Sequence, residues 1–142
     1  MLYFWKVHGI SKKVNRKMVP TRSNKKNRLR IILLVELNMI QASLLIRLVS
    51  RATRHIVVHV LTVEAAIQLT QHIRPDLIIV DEDACNMDDL ALCDSLYKQL
   101  QLTTDAFLFL GRPQGEQRLE HGTFLDKPYS INDVLYKIEE RL

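Results

Sequence analysis

Pro75-Asp76-Leu77-Ile78-Ile79-Val80-Asp81 is the most informative stretch of this 142-residue chain. Its four consecutive apolar residues lack the alternation of a half-exposed strand, so they predict a strand covered on both faces, as in a parallel sheet. The strand ends in Asp81, and Glu82 and Asp83 follow it. In open α/β sheets the carboxyl ends of strands face the ligand crevice, which is where Asp81 is then expected. Taken alone, the stretch also allows Asp81 simply to cap the strand and begin a loop.

Similar apolar runs recur along the chain from residue 29 onward. They predict strands at residues 30–36, 55–60, 106–110 and 123–125, in addition to residues 77–81. Helical spacing of apolar residues separates the strands, which predicts βαβ units, a parallel sheet and right-handed crossovers. Between Gly111 and Gly122 the apolar content falls to Leu119. At most one or two helical turns are therefore expected for the fourth helix.

The charge is distributed very unevenly. The first thirty residues carry ten lysines and arginines and no acid, which leaves ten bases against 16 acids in the remaining 112 residues. Residues 1–28 also lack a periodic apolar pattern, so we expect a basic, disordered or fold-on-binding N-terminal arm followed by one domain at 29–142. The basic residues 1–30 could attract the phosphates of a nucleic acid or the acidic surface of a protein. The alternative is a solvated arm that only aids solubility.

Composition also bears on compartment and reaction class. The two cysteines, Cys85 and Cys93, have no metal or redox spacing, which favours a reducing compartment, the cytoplasm. Because the first thirty residues contain no acid, they could instead be a transit sequence that directs the protein to an organelle stroma. Translation could also begin at Met18. No apolar run is long enough for a membrane span. The five histidines show no motif spacing and no nucleophile elbow or phosphate-binding glycine loop is present, so a conventional enzyme is not expected.

Polar residues stand at three predicted strand ends. They are Glu36, the acids Asp81 to Asp83, and Lys127. In a doubly wound sheet these ends converge at the switch point, which predicts an acidic pocket with one ammonium group. Such a pocket suits a divalent cation and a phosphoryl group, because carboxylates hold the metal and the lysine offsets phosphate charge.

Four segments then occur in a characteristic order: Ile32 to Asn38, Pro75 to Asp81, Met87-Asp88-Asp89, and Phe124-Leu125-Asp126-Lys127-Pro128-Tyr129. With them, residues 29–142 resemble the receiver domain of two-component response regulators. The resemblance implies a flavodoxin-like, doubly wound, five-stranded parallel sheet of order 2-1-3-4-5.

The resemblance also implies roles for particular residues. Asp81 would accept a phosphoryl group from a histidine kinase, Lys127 would contact that group, and Phe124 falls at the position of the family's aromatic switch. Glu36, Asp81 and Asp83 would hold Mg²⁺.

The sequence departs from the receiver pattern at several of these positions. Leu37 replaces the second acid of the first strand, a direct Mg²⁺ ligand in the family, so Mg²⁺ binding is expected to be weak or lost. The family's Ser or Thr after the fourth strand is Leu110 or Gly111 here, and neither has a hydroxyl group. Cys85 stands in place of Pro and Asp89 in place of Gly, so the loop after Asp81 is expected to be reshaped.

These departures favour a pseudo-receiver: a signalling or regulatory module that binds another protein and transfers phosphoryl groups weakly or not at all. A working single-domain response regulator phosphorylated at Asp81 is the alternative. A second alternative is a transcription-associated regulator whose basic arm binds nucleic acid. Because the chain ends just after Arg141, no C-terminal effector domain is expected.

Overall fold

The computed structural model describes the backbone of residues 2–5 and 87–90 and the complete residues 29–85, 91–100, 106–111 and 122–142. The strands are β1 Leu2–Trp5, β2 Ile31–Val35, β3 Ile56–Val60, β4 Leu77–Asp81, β5 Phe107–Leu110 and β6 Thr123–Leu125. The helices are α1 Met39–Ala52, α2 Val63–Leu69, α3 Met87–Leu100 and α4 Ile131–Arg141, with a short 3₁₀ turn at Glu82–Ala84. The predicted shortened fourth helix and the side chains of Met87-Asp88-Asp89 lie outside the described residues.

The strands form one sheet in the order β1-β3-β2-β4-β5-β6. The pairings from β3 through β6 are all parallel, and β2 lies between β3 and β4. Numbered among themselves, these five strands have the order 2-1-3-4-5. The predicted flavodoxin-like doubly wound topology is therefore confirmed.

Within the arm predicted at residues 1–28, the described segment Leu2–Trp5 forms a strand and is not disordered. Leu2–Trp5 pairs antiparallel with β3, with Tyr3 opposite His59 and Phe4 opposite Val58, so the sheet has six strands. The aromatic residues of this segment favour the extended conformation, and β3 offers a free edge for its hydrogen bonds. Residues 6–28 lie outside the described part of the chain.

The core consists of two apolar layers, one on each face of the sheet. Alternate residues of β2 enter different layers: Leu33 and Val35 pack with α2 and α3, whereas Ile32 and Leu34 pack with α1 and α4. Every residue of β4 is buried, as the unbroken apolar run predicts for a strand covered on both faces. No helix in the described ranges is long and apolar enough to cross a membrane.

Candidate functional site

The pocket predicted at the carboxyl edge of the sheet lies where β2 and β4 end side by side. Val35 is in register with Val80, so the residues that follow them, Glu36 and Asp81, are brought to the same place. Both are only 1% exposed. Two adjacent carboxyl groups are thus removed from water at the centre of the sheet edge.

Lys127, in the segment after β6, lies against the acids that follow β4. Its Nζ lies 3.4 Å from Oδ1 of Asp81, 3.1 Å from Oε1 of Glu82 and 3.6 Å from Oδ2 of Asp83. One ammonium group is therefore shared among three acidic side chains. The structure brings together all of these residues from the predicted pocket, and their roles stay predictions.

Asp81 has a structural task as well as a position at the site. Its Oδ1 accepts a hydrogen bond of 3.0 Å from the backbone N–H of Asp83, which caps the turn Glu82–Ala84. The loop-capping interpretation of Asp81 is correct in this respect. The same oxygen also faces Lys127, so the carboxylate joins the turn after β4 to the segment after β6.

Glu36 is held by backbone groups around the end of β2. The backbone N–H of Asn38 donates to its Oε1 at 2.9 Å, whereas the buried Oε2 has no hydrogen-bond partner within the described ranges. Burial raises the pKa of Glu36 to about 8, and the nearby Asp81 carboxylate adds to the rise. The Glu36 carboxyl group is therefore mostly protonated and neutral at neutral pH.

Two further residues of the site carry no strong signal in the sequence. His59, buried in β3, donates from Nε2 to the backbone carbonyl of Glu36 at 2.8 Å and so fixes the end of β2. Tyr129 is half-buried, and burial together with the negative charge of Asp81 raises its pKa to about 12. A histidine inside an apolar strand run is the one sequence signal that could have indicated His59.

The charge on Lys127 is secured by its surroundings. Burial by itself would lower the pKa of this lysine, but the hydrogen bond to Glu82 and the charges of Asp81 and Asp83 raise it above the ordinary value. The Lys127 side chain is therefore positively charged at neutral pH. A cation brought to these carboxylates would compete with it.

The residues at the site fit Mg²⁺ poorly. Leu37, the predicted departure from the metal-binding pattern, is 55% exposed and offers no oxygen. Lys127 contacts two of the predicted ligands, Asp81 and Asp83. No three His, Cys, Asp or Glu side chains in the described part of the chain are placed to hold a metal ion. Mg²⁺ prefers near-ideal octahedral oxygen coordination, and Leu37 removes one of the oxygen ligands that the receiver resemblance implies.

The end of β5 closes the pocket without a hydroxyl group. Leu110 is in register with Asp81 and fully buried. Gly111 has φ +84° and donates its N–H to the Leu125 carbonyl at 2.8 Å. The positive φ favours glycine at position 111, and any larger residue there would also force the Glu82 carboxyl group to move.

Phe124, the predicted aromatic switch, packs on the neighbouring strand. Its ring stacks on Phe109 with centroids 5.2 Å apart, and Phe109 in turn lies 4.9 Å from Phe107. The residue is partly buried within this row of three rings. Its role as a switch stays a prediction.

Comparison with solved structures identifies the fold. The signal receiver domain of an HD domain-containing protein from Pseudomonas fluorescens is 22% identical, with a TM-score of 0.66, over 80% of this chain and 94% of that one. The signal receiver domain of a putative LuxO repressor protein from Vibrio parahaemolyticus is 21% identical, with a TM-score of 0.65, over 80% and 90% of the two chains.

A third structure, the signal receiver domain of a signal transduction histidine kinase from Syntrophus aciditrophicus, is 27% identical, with a TM-score of 0.65, over 80% of this chain and 89% of that one. No family model and no curated protein sequence matches the chain. The chain therefore has the fold of response regulator receiver domains.

Proposed function

We propose that this protein is a signalling protein whose receiver-like domain acts as a protein–protein interaction module, with phosphotransfer at Asp81 weak or absent. The observation that carries the proposal is that the Lys127 ammonium contacts Asp81, Glu82 and Asp83, while Leu37 stands in place of an expected metal ligand. In this cluster the positive charge comes from the protein itself.

Phosphoryl transfer to Asp81 would create new negative charge at a buried position. Transfer to a carboxylate brings further negative charge to a buried acid, and divalent cations normally offset that charge. Here Leu37 removes one of the metal ligands that the resemblance implies. The single ammonium of Lys127 is already shared among three acidic side chains, so it has little capacity left for a phosphoryl group.

A module of this kind acts through its surface. Its partner would be another signalling or regulatory protein, in keeping with the signal transduction proteins that contain the solved receiver domains. A location in the cytoplasm is in keeping with the sequence, in which Cys85 and Cys93 lack the spacing of a disulfide or metal framework. No catalysis by the isolated domain is required.

A working response regulator is the second candidate, because one feature favours it. Lys127 and Asp81 lie 3.4 Å apart at the carboxyl edge of the sheet, the place that the resemblance assigns to the acceptor and its phosphate contact. In that case a histidine kinase would be the partner, and Asp81 would become phosphorylated.

Phosphorylation by a small-molecule donor separates the two functions. The protein is incubated with acetyl phosphate and excess Mg²⁺, and intact-mass spectrometry at neutral pH detects an added phosphoryl group. We expect no adduct with the natural chain and a detectable adduct with Leu37→Asp, which restores the missing carboxylate. A stoichiometric adduct on the natural chain that Asp81→Asn abolishes would establish the working regulator instead.

A further inference from the structure

Cys85 and Cys93 come together in the apolar layer that packs with α2 and α3. Cys85 ends the 3₁₀ turn after β4, and Cys93 lies in the second turn of α3. Their Sγ atoms are 3.8 Å apart, and the two residues are only 5% and 2% exposed. The spacing of the two cysteines along the chain matches no redox or metal motif, so the fold alone creates this contact.

The two sulfur atoms are held in contact by two separate elements. Leu96 and Leu100 follow Cys93 on the inward face of α3 and are buried in the same apolar cluster. On the other side of the contact, Cys85 donates its backbone N–H to the Glu82 carbonyl at 3.2 Å and so closes the 3₁₀ turn. A bond between the sulfur atoms would therefore tie this turn to α3.

Two buried sulfur atoms in contact suit a disulfide better than a metal ion. A disulfide is neutral, whereas two thiolates around a monovalent soft ion would leave net negative charge in an apolar layer. Within the described part of the chain, no third His, Cys, Asp or Glu side chain is placed to complete a metal site. To form a bond, the sulfur atoms need to approach from 3.8 Å to about 2.0 Å, a movement that the turn and the helix can share.

We propose that Cys85 and Cys93 are a modification site, at which hydrogen peroxide forms a reversible disulfide. Cys85, the more exposed of the two, reacts first: its thiolate takes one oxygen of the peroxide to become a sulfenic acid, and the hydroxide that leaves takes up the proton lost by Cys85. The Cys93 sulfur then attacks the Cys85 sulfur and loses its proton, and the sulfenic oxygen leaves as water. Two thiols are thus oxidised to one disulfide while one peroxide molecule is reduced to two molecules of water.

The disulfide acts on the acidic pocket through the turn that follows β4. Glu82 and Asp83 of this turn lie 3.1 Å and 3.6 Å from the Lys127 ammonium, and the Asp81 carboxylate caps the turn. Movement of Cys85 toward α3 therefore displaces the turn relative to Lys127. Disulfides in a reducing compartment are typically transient and redox-sensing. Oxidation is then an input to the domain that needs no phosphoryl group, so it is independent of phosphotransfer at Asp81.

Thiol trapping on the full chain tests the modification site. The chain is reduced, separated from the reductant, exposed to a small excess of hydrogen peroxide and denatured in N-ethylmaleimide, which adds once to each remaining thiol. Because the chain has only two cysteines, its intact mass distinguishes the products. We expect a monomer about two mass units lighter that takes up no maleimide, and full recovery of both thiols after treatment with dithiothreitol. Cys93→Ala should instead gain oxygen at Cys85, in steps of about 16 mass units, because the sulfur that resolves the sulfenic acid is absent.

NMR of ¹⁵N-labelled protein tests the link to the acidic pocket. Oxidation of the natural chain should shift the amide signals of Glu82, Asp83 and Lys127 and leave that of Glu139, on the exposed face of α4, in place. Cys85→Ala under the same treatment controls for oxidation elsewhere in the chain and should show none of these shifts.

Three results would overturn the modification site: two thiols that still react with maleimide after peroxide treatment, a disulfide between chains, or sulfinic acids in place of the internal disulfide. An internal disulfide whose amide shifts do not reach Lys127 would overturn the link to the acidic pocket.

Discussion

Replacement of Glu36 by glutamine is expected to stabilise the protein at alkaline pH and to leave its stability unchanged at acid pH. Burial, with a contribution from the Asp81 carboxylate, raises the pKa of Glu36 from an ordinary value of 4.5 to about 8. Between these values the folded protein holds a proton that the unfolded chain has lost. The free energy of unfolding of the natural chain therefore falls as pH rises through this window and stops falling above about pH 8.

The size of the effect follows from the width of the window. Each pH unit changes the free energy of unfolding by about 1.4 kcal/mol, which amounts to about 3 kcal/mol between about pH 5.5 and about pH 8. Glutamine resembles the protonated acid. Its oxygen can keep the 2.9 Å bond from the Asn38 N–H, and its amide group takes the place of the unpartnered Oε2.

Urea unfolding followed by circular dichroism, repeated at half-unit pH steps, measures the effect. The difference in unfolding free energy between Glu36→Gln and the natural chain should grow by about 1.4 kcal/mol per pH unit and become constant above about pH 8. Glu139→Gln, an exposed change on α4, serves as the control and should show no such trend. If the difference in unfolding free energy between the two proteins stays constant from about pH 5.5 to about pH 8, Glu36 is ionised in the folded protein and its pKa is not raised.

Three further predictions concern the supports of the site. Lys127→Met should lower the free energy of unfolding by about 1 to 3 kcal/mol, because it leaves the buried Asp81 carboxylate without its cation. Urea titration should show that Lys127→Met costs much less when Asp81→Asn is already present. An equal loss with Asp81 and with Asn at position 81 would contradict the ion pair. Gly111→Ala should lower the free energy of unfolding by about 1 to 3 kcal/mol, as measured by thermal unfolding. Adding Glu82→Ala should remove the clash with the Glu82 side chain but not the strain of a positive φ. An unchanged melting temperature would contradict the preference for glycine. Ser130→Ala should cost about 1 kcal/mol by removing the cap of α4, and Ser130→Asp should retain most of the stability; equal losses in both variants would contradict the capping role.

The five parallel strands and the acidic pocket could be predicted because their signals are local. An unbroken apolar run such as Leu77 to Val80 marks a strand buried on both faces wherever it occurs, and the residue after it reaches the sheet edge. Strand β1 could not be predicted in this way because its stability comes from pairing with β3, which is distant in the chain. Nothing near Leu2–Trp5 in the sequence indicates that partner.

The electrostatics of the pocket could not be predicted for a similar reason. The sequence places Glu36 and Asp81 at neighbouring strand ends, but the raised pKa of Glu36 arises from burial by residues distant in the chain. The bond from His59 to the Glu36 carbonyl likewise depends on the register between β2 and β3. Leu37, by contrast, departs from the receiver pattern in the sequence itself, because the loss of a carboxylate is visible in the residue type alone.

The central claim, that phosphotransfer at Asp81 is weak or absent, is tested most directly by binding of a phosphoryl mimic. Beryllofluoride with excess Mg²⁺ is titrated into ¹⁵N-labelled protein, and amide signals around Asp81 and Phe124 are followed by NMR, with Leu37→Asp as the matched variant. We expect no saturable change in the natural chain and a clear change in Leu37→Asp. Saturable binding to the natural chain with shifts at Asp81 and Phe124 would contradict it.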